Sequence, residues 1–498
     1  MKYFYSFVVF CLSTLICYAQ NHPFPQNLTY TLGTIKPDHK SIAQLNSDVE
    51  AYYNAWKARY IKNCTGKYYV DFTDEDPSQI TTSESHGYGM MIMVLIAGYD
   101  TSAKTIYDGM YNYYKAHYSS GNNKLMSWQQ PNCSTAGGND DSATDGDLDI
   151  AYSLLLADAQ WGSTGTINYL QEGKNIINAI MVSEINHSSY HTLLGDWASS
   201  TADLKLSRTS DFILDHFKAY ETATGDIHWN NVYEKTQNIV SYLQSAAANP
   251  ALTGLLPDFV QNANTSTPTI PTGQVLESLQ DGWYSWNACR DPWRLGADYL
   301  ITGDVRSKTA AAMIINWLKS KSTNPANFIC ITRLNGTGTA GQGELAFIAP
   351  YMVGMMVDTA NQSLLNNTYD WVINAGINNF TYFHNTIKML CLLTVSGNYW
   401  PPSAATTGII ENPVDNNSAF NVSIVMEADE VRLNILTNFN STASIVIYDA
   451  LGKQVLANPE VLNSGNNFIT LSTANLNKGL YIVYINTDAD KKMIKFIK

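Results

Sequence analysis

The sequence predicts an all-α domain of six helical hairpins arranged as a toroid, followed by a small β-sandwich domain. From about residue 43 to 395, apolar residues recur at three- and four-residue spacing in segments that are separated by polar, Gly- or Asn-containing turns. Trp400-Pro401-Pro402 ends this pattern, because proline cannot continue a helix. After Val422 the apolar runs are typical of strands.

The composition describes a globular chain with a large core. Of 498 residues, 45% are hydrophobic and 15% are charged, which excludes a disordered, collagen-like or coiled-coil chain. The formal net charge is -13, from 30 Lys and Arg against 43 Asp and Glu. Such an acidic chain is a poor match for nucleic acid or an anionic membrane surface, so neutral or cationic partners fit better.

Residues 1–19 are typical of a secretory signal peptide. Lys2 precedes an apolar run over 7–16, and the small-residue ending Cys17-Tyr18-Ala19 follows. A lipoprotein anchor at Cys17 is the competing interpretation, but Ile16 stands where such an anchor has a small residue. We therefore expect a secreted or cell-surface protein. No later stretch is apolar for long enough to span a membrane.

Cysteine usage indicates neither a metal site nor a disulfide framework. Without the signal peptide, five cysteines remain: Cys64, Cys133, Cys289, Cys330 and Cys391. Because five is odd, at least one is unpaired, and one or two disulfides are possible without a deducible pairing. No CxxC pair or close His pairing is present, so we predict no metal and no cofactor.

The individual elements follow from the same patterns. Within 20–400, helices are predicted near 43–60, 87–98, 103–118, 147–160, 167–184, 210–222, 231–247, 287–301, 306–321, 342–358, 362–376 and 379–394. Ser, Thr, Gly and Asn dominate the next stretch, which predicts a linker over 401–421. The β-sandwich of 422–498 is predicted to contain strands over 444–449, 467–471 and 479–485.

Two acidic segments are candidates for chemistry. The first, 140–149, runs directly into a helix, and Thr144 with Asp147 has the spacing of a capping box, so a simple helix start is the competing interpretation. A calcium loop is not supported, because Ile150 stands where an EF-hand needs Gly. In the second, Glu84 precedes a wholly apolar helix; it is either an N-terminal charge or a general acid whose pKa burial raises.

These two segments resemble glycoside hydrolase family 8. The resemblance rests on 143–161, with Ala143-Thr144-Asp145-Gly146-Asp147-Leu148-Asp149, and on 83–90, with Ser83-Glu84-Ser85-His86-Gly87-Tyr88-Gly89-Met90. It implies an (α/α)6 barrel and an inverting, endo-acting hydrolase of β-1,4 linkages in cellulose-like glucan, mixed-linkage glucan or chitosan, with Glu84 as the general acid. A xylan-active member of the family is an alternative.

The resemblance also bears on the base, which must be a second carboxylate. The commonest branch of the family has an Asp where this chain has Asn287, and an amide is not a useful proton acceptor. A second branch resembles this chain more closely: it has Asn there and takes its base from a Glu in an inserted loop, which corresponds to Glu277. An ordinary exposed loop carboxylate is the competing interpretation of Glu277, and Asp291 and Asp281 are the fallback bases.

The remaining predicted site residues are a third catalytic residue and a set of substrate contacts. The resemblance implies that Asp145 is catalytic, since it hydrogen-bonds the sugar in the central subsite and helps to distort its ring, and that Asp211 and Asn287 contact sugar or water. Arg290 is also predicted to bind substrate, and Asp147 is predicted to be structural. Aromatic rings can stack on the C–H face of a sugar or merely pack the core. The candidate stacking rings are Trp128, Trp197, Tyr284 and Trp286.

The tail resembles the type A sorting domain of type IX secretion, through Leu476-Asn477-Lys478-Gly479-Leu480-Tyr481 and a basic end. A carbohydrate-binding module is the alternative, but the tail contains no Trp. The predicted partners are therefore a polysaccharide and the secretion machinery, and we expect a monomer. Two other classes remain open: a non-catalytic glycan-binding toroid and a lyase, although the net charge disfavours a polyanionic substrate.

Overall fold

The computed structural model describes residues 20–498 with the exception of 135–136, 139, 403–419, 428–429, 438, 450–452 and 478. The predicted signal peptide and most of the predicted linker lie outside the described residues. The chain divides into two compact units, one up to Pro402 and one from Ser403 onward. In the part of the chain that is described, no helix combines the length and apolar character needed to cross a membrane.

The described residues of the first unit contain twelve α-helices, as predicted. They are α1 Ile42–Tyr60, α2 Ser83–Leu95, α3 Ala103–Ala116, α4 Thr144–Trp161, α5 Tyr169–Ser183, α6 Leu214–Thr224, α7 His228–Leu243, α8 Asp291–Thr302, α9 Val305–Lys321, α10 Leu345–Met355, α11 Gln362–Asn374 and α12 Tyr382–Val395. The starts predicted at 210 and 287 were too early, because 3-10 turns at Thr209–Asp211 and Ala288–Arg290 precede α6 and α8.

The even-numbered helices form a closed inner ring. In the described unit α2 packs on α4, α4 on α6, α6 on α8, α8 on α10, α10 on α12, and α12 on α2. All residues of α10 are buried, and so are all residues of α2 from Ser85 onward. A helix that is apolar on all sides must lie inside a protein, whereas α3, α5, α7, α9 and α11 each keep an exposed face. The result is an (α/α)6 barrel.

Short strands connect the helices at the barrel ends. They are β1 Ile61–Cys64, β2 Lys67–Val70, β3 Thr81–Thr82, β4 Gln129–Gln130, β5 Ser207–Arg208, β6 Phe259–Val260, β7 Trp283–Tyr284, β8 Ile329–Arg333 and β9 Gly341–Gln342. A disulfide joins Cys64, at the end of β1, to Cys133. Cys289, Cys330 and Cys391 are free and buried, so the structure supplies the pairing that spacing left open.

The second unit is a β-sandwich, as predicted. Its strands are β10 Phe420–Glu427, β11 Glu430–Thr437, β12 Ser441–Asp449, β13 Gln454–Leu462, β14 Gly465–Ser472, β15 Leu480–Asn486 and β16 Lys491–Ile497. Antiparallel sheets with the orders β10-β11-β14 and β13-β12-β15-β16 bury alternate residues such as Val431, Leu433 and Ile445 between them. The predicted strand ranges correspond to β12, β14 and β15, whereas β10, β11, β13 and β16 were not predicted individually. In β13, an edge strand, Pro459 interrupts the apolar residues.

The start of α4 differs from the predicted capping box. Ala143 is the N-cap residue and makes no side-chain cap. The Thr144 hydroxyl donates instead to the Leu193 carbonyl at 2.7 Å, and Asp147 Oδ1 accepts the backbone N–H of Met126 at 2.8 Å. The first turn of α4 is therefore held by neighbouring loops, which a pattern of local spacing cannot reveal.

Asp147 also forms a buried carboxyl pair with Glu184. Both side chains are excluded from solvent, and Glu184 Oε1 accepts from the Ser142 hydroxyl at 2.5 Å. Glu184 is close enough to Asp147 to raise its pKa by charge repulsion, and two buried carboxyl groups that repel each other avoid ionising together, so one of them keeps a proton. Burial accordingly raises the pKa of Glu184 to about 8 and that of Asp147 well above its usual range.

This pair predicts that Glu184→Gln stabilises the protein increasingly as pH rises. Because the folded-state pKa lies above the unfolded one, the wild type loses stability from about pH 4.3 up to about 8. The Gln amide can donate to Asp147 at any pH. Thermal unfolding at pH 5 and pH 9 should show a Tm gain that is larger at pH 9, by about 2–4 °C for each kcal/mol of penalty removed.

The matched control is Glu172→Gln. Glu172 is only partly buried, and its pKa is lowered: burial alone would raise it, but hydrogen bonds from Lys115 and Tyr111 and the charges of Lys115 and Lys124 together outweigh that effect. Its replacement should lower Tm slightly or leave it unchanged at both pH values. A Glu184→Gln gain that is equal at pH 5 and pH 9 would contradict the raised pKa of Glu184.

Candidate active site

The starts of four inner helices bring polar side chains together at one end of the barrel. Glu84 is in the first turn of α2, Asp145 in the first turn of α4, and Tyr382 is the first residue of α12. Arg290 comes directly before α8. Helix N-termini attract carboxylates, which explains why two acidic side chains meet here.

Arg290 is the centre of this cluster. Its buried guanidinium donates from Nη1 to Glu84 Oε2 at 2.5 Å, to Asp145 Oδ2 at 3.1 Å and to the Tyr88 hydroxyl at 3.2 Å. From Nη2 it donates to Asn287 Oδ1 at 2.9 Å. Arg290 was predicted to contact substrate, whereas in the structure its side chain cross-links the two acidic residues to Asn287.

The two carboxyl groups next to Arg290 have opposite pKa shifts. Burial raises the pKa of Glu84, Arg290 lowers it and Asp145 raises it, which leaves a value of about 7. The Glu84 side chain is still 18% exposed, and Tyr382 donates to its Oε1 at 3.1 Å. For Asp145, burial is outweighed by Arg208 and Arg290, so its pKa lies below the usual range. Near pH 7, Glu84 can therefore hold a proton while Asp145 is ionised.

Glu277 lies on the loop before β7 and faces the same cluster. Its Oε2 accepts from Asn287 Nδ2 at 2.8 Å, and its Oε1 lies 3.4 Å from Arg208 Nη1. The side chain is 45% exposed. Glu84 and Glu277 are thus joined through Arg290 and Asn287, with a guanidinium and an amide between the two carboxyl groups.

Arg208 is a member of the cluster that was not among the predicted site residues. Its side chain lies 3.4 Å from Asp211, 3.4 Å from Glu277 and 3.9 Å from Asp145. Asp211 is fully buried behind Arg208, and burial raises its pKa to about 7. In the sequence, Arg208 stands three residues before Asp211, a spacing that becomes informative only when the 3-10 turn that follows Arg208 is known.

Of the predicted stacking rings, Trp128 and Trp286 are the most exposed, at 41% and 38%. Trp128 is held beside the Glu84 segment, because its carbonyl accepts the N–H of Ser83 at 2.9 Å. Trp286 directly precedes Asn287. The prediction for Tyr284 is corrected: its ring is fully buried against Phe347 and Tyr351 and offers no face to a sugar.

The structure also shows the surroundings of Trp197 and of the two fallback bases, Asp281 and Asp291. Trp197 is partly buried and packs on the small cluster of Leu194, Leu206 and Phe259. Asp281 and Asp291 are each 1% exposed, and burial raises the pKa of Asp291 well above its usual range. Neither carboxyl group reaches solvent, whereas Glu277 does.

An (α/α)6 barrel with carboxyl groups gathered at the helix starts is an arrangement that suits a hydrolase of glycosidic bonds. The chain belongs to glycosyl hydrolases family 8, which its residues 23–397 match, and it is a glycoside hydrolase. Residues 428–498 match the secretion system C-terminal sorting domain. The predicted family and tail are therefore confirmed, and the non-catalytic and lyase alternatives are not retained.

Several known proteins are similar. A beta-glucanase of Niallia circulans is 47% identical over 384 residues, covering 77% of this chain and 92% of that protein. An endoglucanase of Bacillus sp. (strain KSM-330) is 39% identical over 391 residues, covering 76% and 82%. The apo structure of a β-1,3-1,4-glucanase from Paenibacillus sp. X4 aligns with a TM-score of 0.73 at 46% identity, covering 77% of this chain and all of that one, 100%.

A more distant similarity shows the fold alone. The structure of a cold-adapted family 8 xylanase aligns with a TM-score of 0.60 at 17% identity, covering 75% of this chain and 97% of that one.

Proposed function

We propose that this glycoside hydrolase is a secreted, endo-acting, inverting enzyme that cleaves β-1,4 linkages in β-glucans. The observation that carries the proposal is the pair Glu84 and Glu277, which face the same cluster but have different environments. Glu84 is largely buried and its pKa is raised to about 7. Glu277 is solvent-exposed and hydrogen-bonded to Asn287.

In the proposed mechanism Glu84 is the general acid. It donates its proton to the glycosidic oxygen as the bond to the anomeric carbon breaks, which makes the leaving sugar a neutral alcohol. The carboxylate that remains is stabilised by Arg290 Nη1 at 2.5 Å and by the Tyr382 hydroxyl at 3.1 Å. These two donors hold Glu84 in place without removing its proton at neutral pH.

Glu277 is the proposed general base. It accepts a proton from the water that attacks the anomeric carbon on the opposite face of the sugar. An inverting enzyme needs space for this water between its two carboxyl groups, and the Arg290 guanidinium and the Asn287 amide separate them here. Asn287, an amide where the commonest branch of the family has its base, becomes the hydrogen-bond donor that orients Glu277.

Asp145 is the proposed third residue. Because Arg208 and Arg290 hold its pKa low, it remains a carboxylate and can stabilise the positive charge that develops on the sugar ring. Its Oδ1 already accepts the N–H of Gly146 at 2.9 Å, which fixes its orientation. Trp128 and Trp286 offer exposed rings on which neighbouring sugar units can stack.

The substrate class is tested with the full-length protein on four polymers. We expect new reducing ends from mixed-linkage β-glucan and carboxymethyl cellulose, with much slower release from chitosan and xylan, because the similar proteins above are named for β-glucan or as endoglucanases. Proton NMR of the first products should show the α-anomer, which is the inverted configuration. Activity confined to chitosan or xylan would refute the proposed substrate, and a β-anomeric first product would refute inversion.

Export is the last part of the proposal. The predicted signal peptide over 1–19 directs the chain across the inner membrane, and the C-terminal domain is the address that the type IX machinery reads. We propose that the secreted enzyme acts as a monomer.

A further inference from the structure

The loop that carries Glu277 is organised by one buried carboxylate. Asp281 Oδ2 accepts the backbone N–H groups of Val275 at 2.8 Å, Leu276 at 2.8 Å and Glu277 at 3.1 Å, and Oδ1 accepts that of Ser278 at 2.7 Å. Four successive peptide groups therefore point at a single side chain. Hydrogen bonds to a carboxylate are stronger than those between neutral groups, so the loop conformation is tied to this charge.

Asp281 is itself anchored to the barrel. Its side chain is 1% exposed, and its carbonyl accepts the N–H of Phe259, in β6, at 2.9 Å. Val275 packs against the cluster that includes Phe259, whereas Leu276 and Leu279 are exposed. The loop thus has one small apolar contact with the barrel, and its polar contacts with the barrel include the Asp281 carbonyl and the side chain of Glu277, whereas the Asp281 carboxylate holds the loop to itself.

Asn287, the hydrogen-bond partner of Glu277, lies in a segment that is also organised by one buried aspartate. Asp258 Oδ1 accepts the backbone N–H groups of Ser285 at 3.2 Å, Asn287 at 3.0 Å and Ala288 at 2.7 Å. This interaction holds the segment from which Asn287 donates to Glu277. The 2.8 Å hydrogen bond between Asn287 and Glu277 therefore joins two segments, each of which is gathered around its own buried aspartate.

We propose that Asp281 is a positioning residue, which acts through Glu277 by holding the loop in the conformation that aims its carboxylate at the attacking water. The inference rests on the proposed function, in which Glu277 is the base. Without the Asp281 carboxylate, the four N–H groups form hydrogen bonds with water instead, and the loop gains conformational freedom. A displacement of about 1 Å in a reacting group can cost about 100-fold in rate.

The test compares Asp281→Ala, Asp281→Asn and Glu277→Gln in the full-length enzyme on β-glucan. For Asp281→Ala we expect kcat to fall about 10- to 100-fold, KM to change by less than about twofold because no sugar contact is lost, and Tm to fall by less than about 4 °C. Asp281→Asn keeps one acceptor oxygen and should lose less. The matched control is Asp298→Asn on α8, a buried aspartate that accepts from Ser307 and Tyr233 and should leave kcat unchanged.

Azide distinguishes a misplaced base from general damage. It is an anionic nucleophile that needs no deprotonation, so it should restore turnover in Asp281→Ala and yield a glycosyl azide of inverted configuration. Wild-type kcat in Asp281→Ala, beside an inactive Glu277→Gln, would overturn this inference alone, as would a slow Asp281→Ala enzyme that azide does not rescue. Full activity in Glu277→Gln would remove the base assignment and this inference together.

Discussion

Glu84→Gln is expected to lower kcat on β-glucan by about 10²–10⁴-fold, the usual contribution of a general acid. The Gln amide has the size of the carboxyl group: its oxygen can accept from Arg290 and its NH2 can donate to the Tyr382 hydroxyl oxygen, but it cannot transfer a proton to the leaving oxygen. KM should change little, because the binding surface is preserved. Reducing-end release under initial-rate conditions measures the loss.

A substrate with a different leaving group identifies the cause of the loss in Glu84→Gln. A β-glucosyl fluoride of an oligosaccharide releases fluoride without protonation, so Glu84→Gln should retain most of its activity on it. Glu50→Gln, on the partly exposed side of α1, is the control and should behave as wild type. Equal losses on polymer and fluoride would show that Glu84 is needed for something other than proton donation.

The Glu84 carboxyl group also sets the pH dependence of kcat/KM. Glu84 must be protonated to act, and its pKa is raised to about 7, so kcat/KM should fall as pH rises through about 7. An ordinary Glu would impose that fall near pH 4.3. Because the fluoride needs no acid, its pH profile should lack the alkaline decrease. An unchanged alkaline limb on the fluoride would assign the decrease to another group.

Glu277→Gln is expected to cause a loss of similar size, about 10²–10⁴-fold in kcat, for a different reason. The Gln carbonyl can still accept from Asn287, so the loop contact is preserved while the proton acceptor is removed. Activation of water is needed whatever the leaving group is. The loss should therefore be equally large on β-glucan and on the fluoride, in contrast to Glu84→Gln.

Azide again provides the control. Glu277→Ala opens a space beside Asn287 and Arg208, and azide should restore turnover there but not in Glu84→Gln acting on polymer. Full activity of Glu277→Gln on β-glucan would exclude Glu277 as the base. It would direct attention to Asp145, since the Asp281 and Asp291 side chains are closed to solvent.

The sequence by itself determined the architecture and the family. Twelve helices were predicted from apolar spacing because this barrel alternates largely buried inner helices with amphipathic outer ones, and both patterns are local. Glu84 was a candidate because it precedes an apolar helix that must be buried, and Asp145 was a candidate because its acidic segment resembles that of the family. The β-sandwich followed from alternating strands.

Only the tertiary structure decided how the site is assembled. The contacts of Arg290 with Glu84 and of Asn287 with Glu277 join residues from different helices and loops, and spacing along the chain carries no information about them. Tyr284 looked like a surface ring until the packing of α10 covered it. In the sequence Asp281 was a fallback base, but in the structure its carboxylate accepts hydrogen bonds from four backbone N–H groups of its own loop. Hydrogen-bond partners and solvent access depend on which segments meet, and that is settled only when the barrel closes.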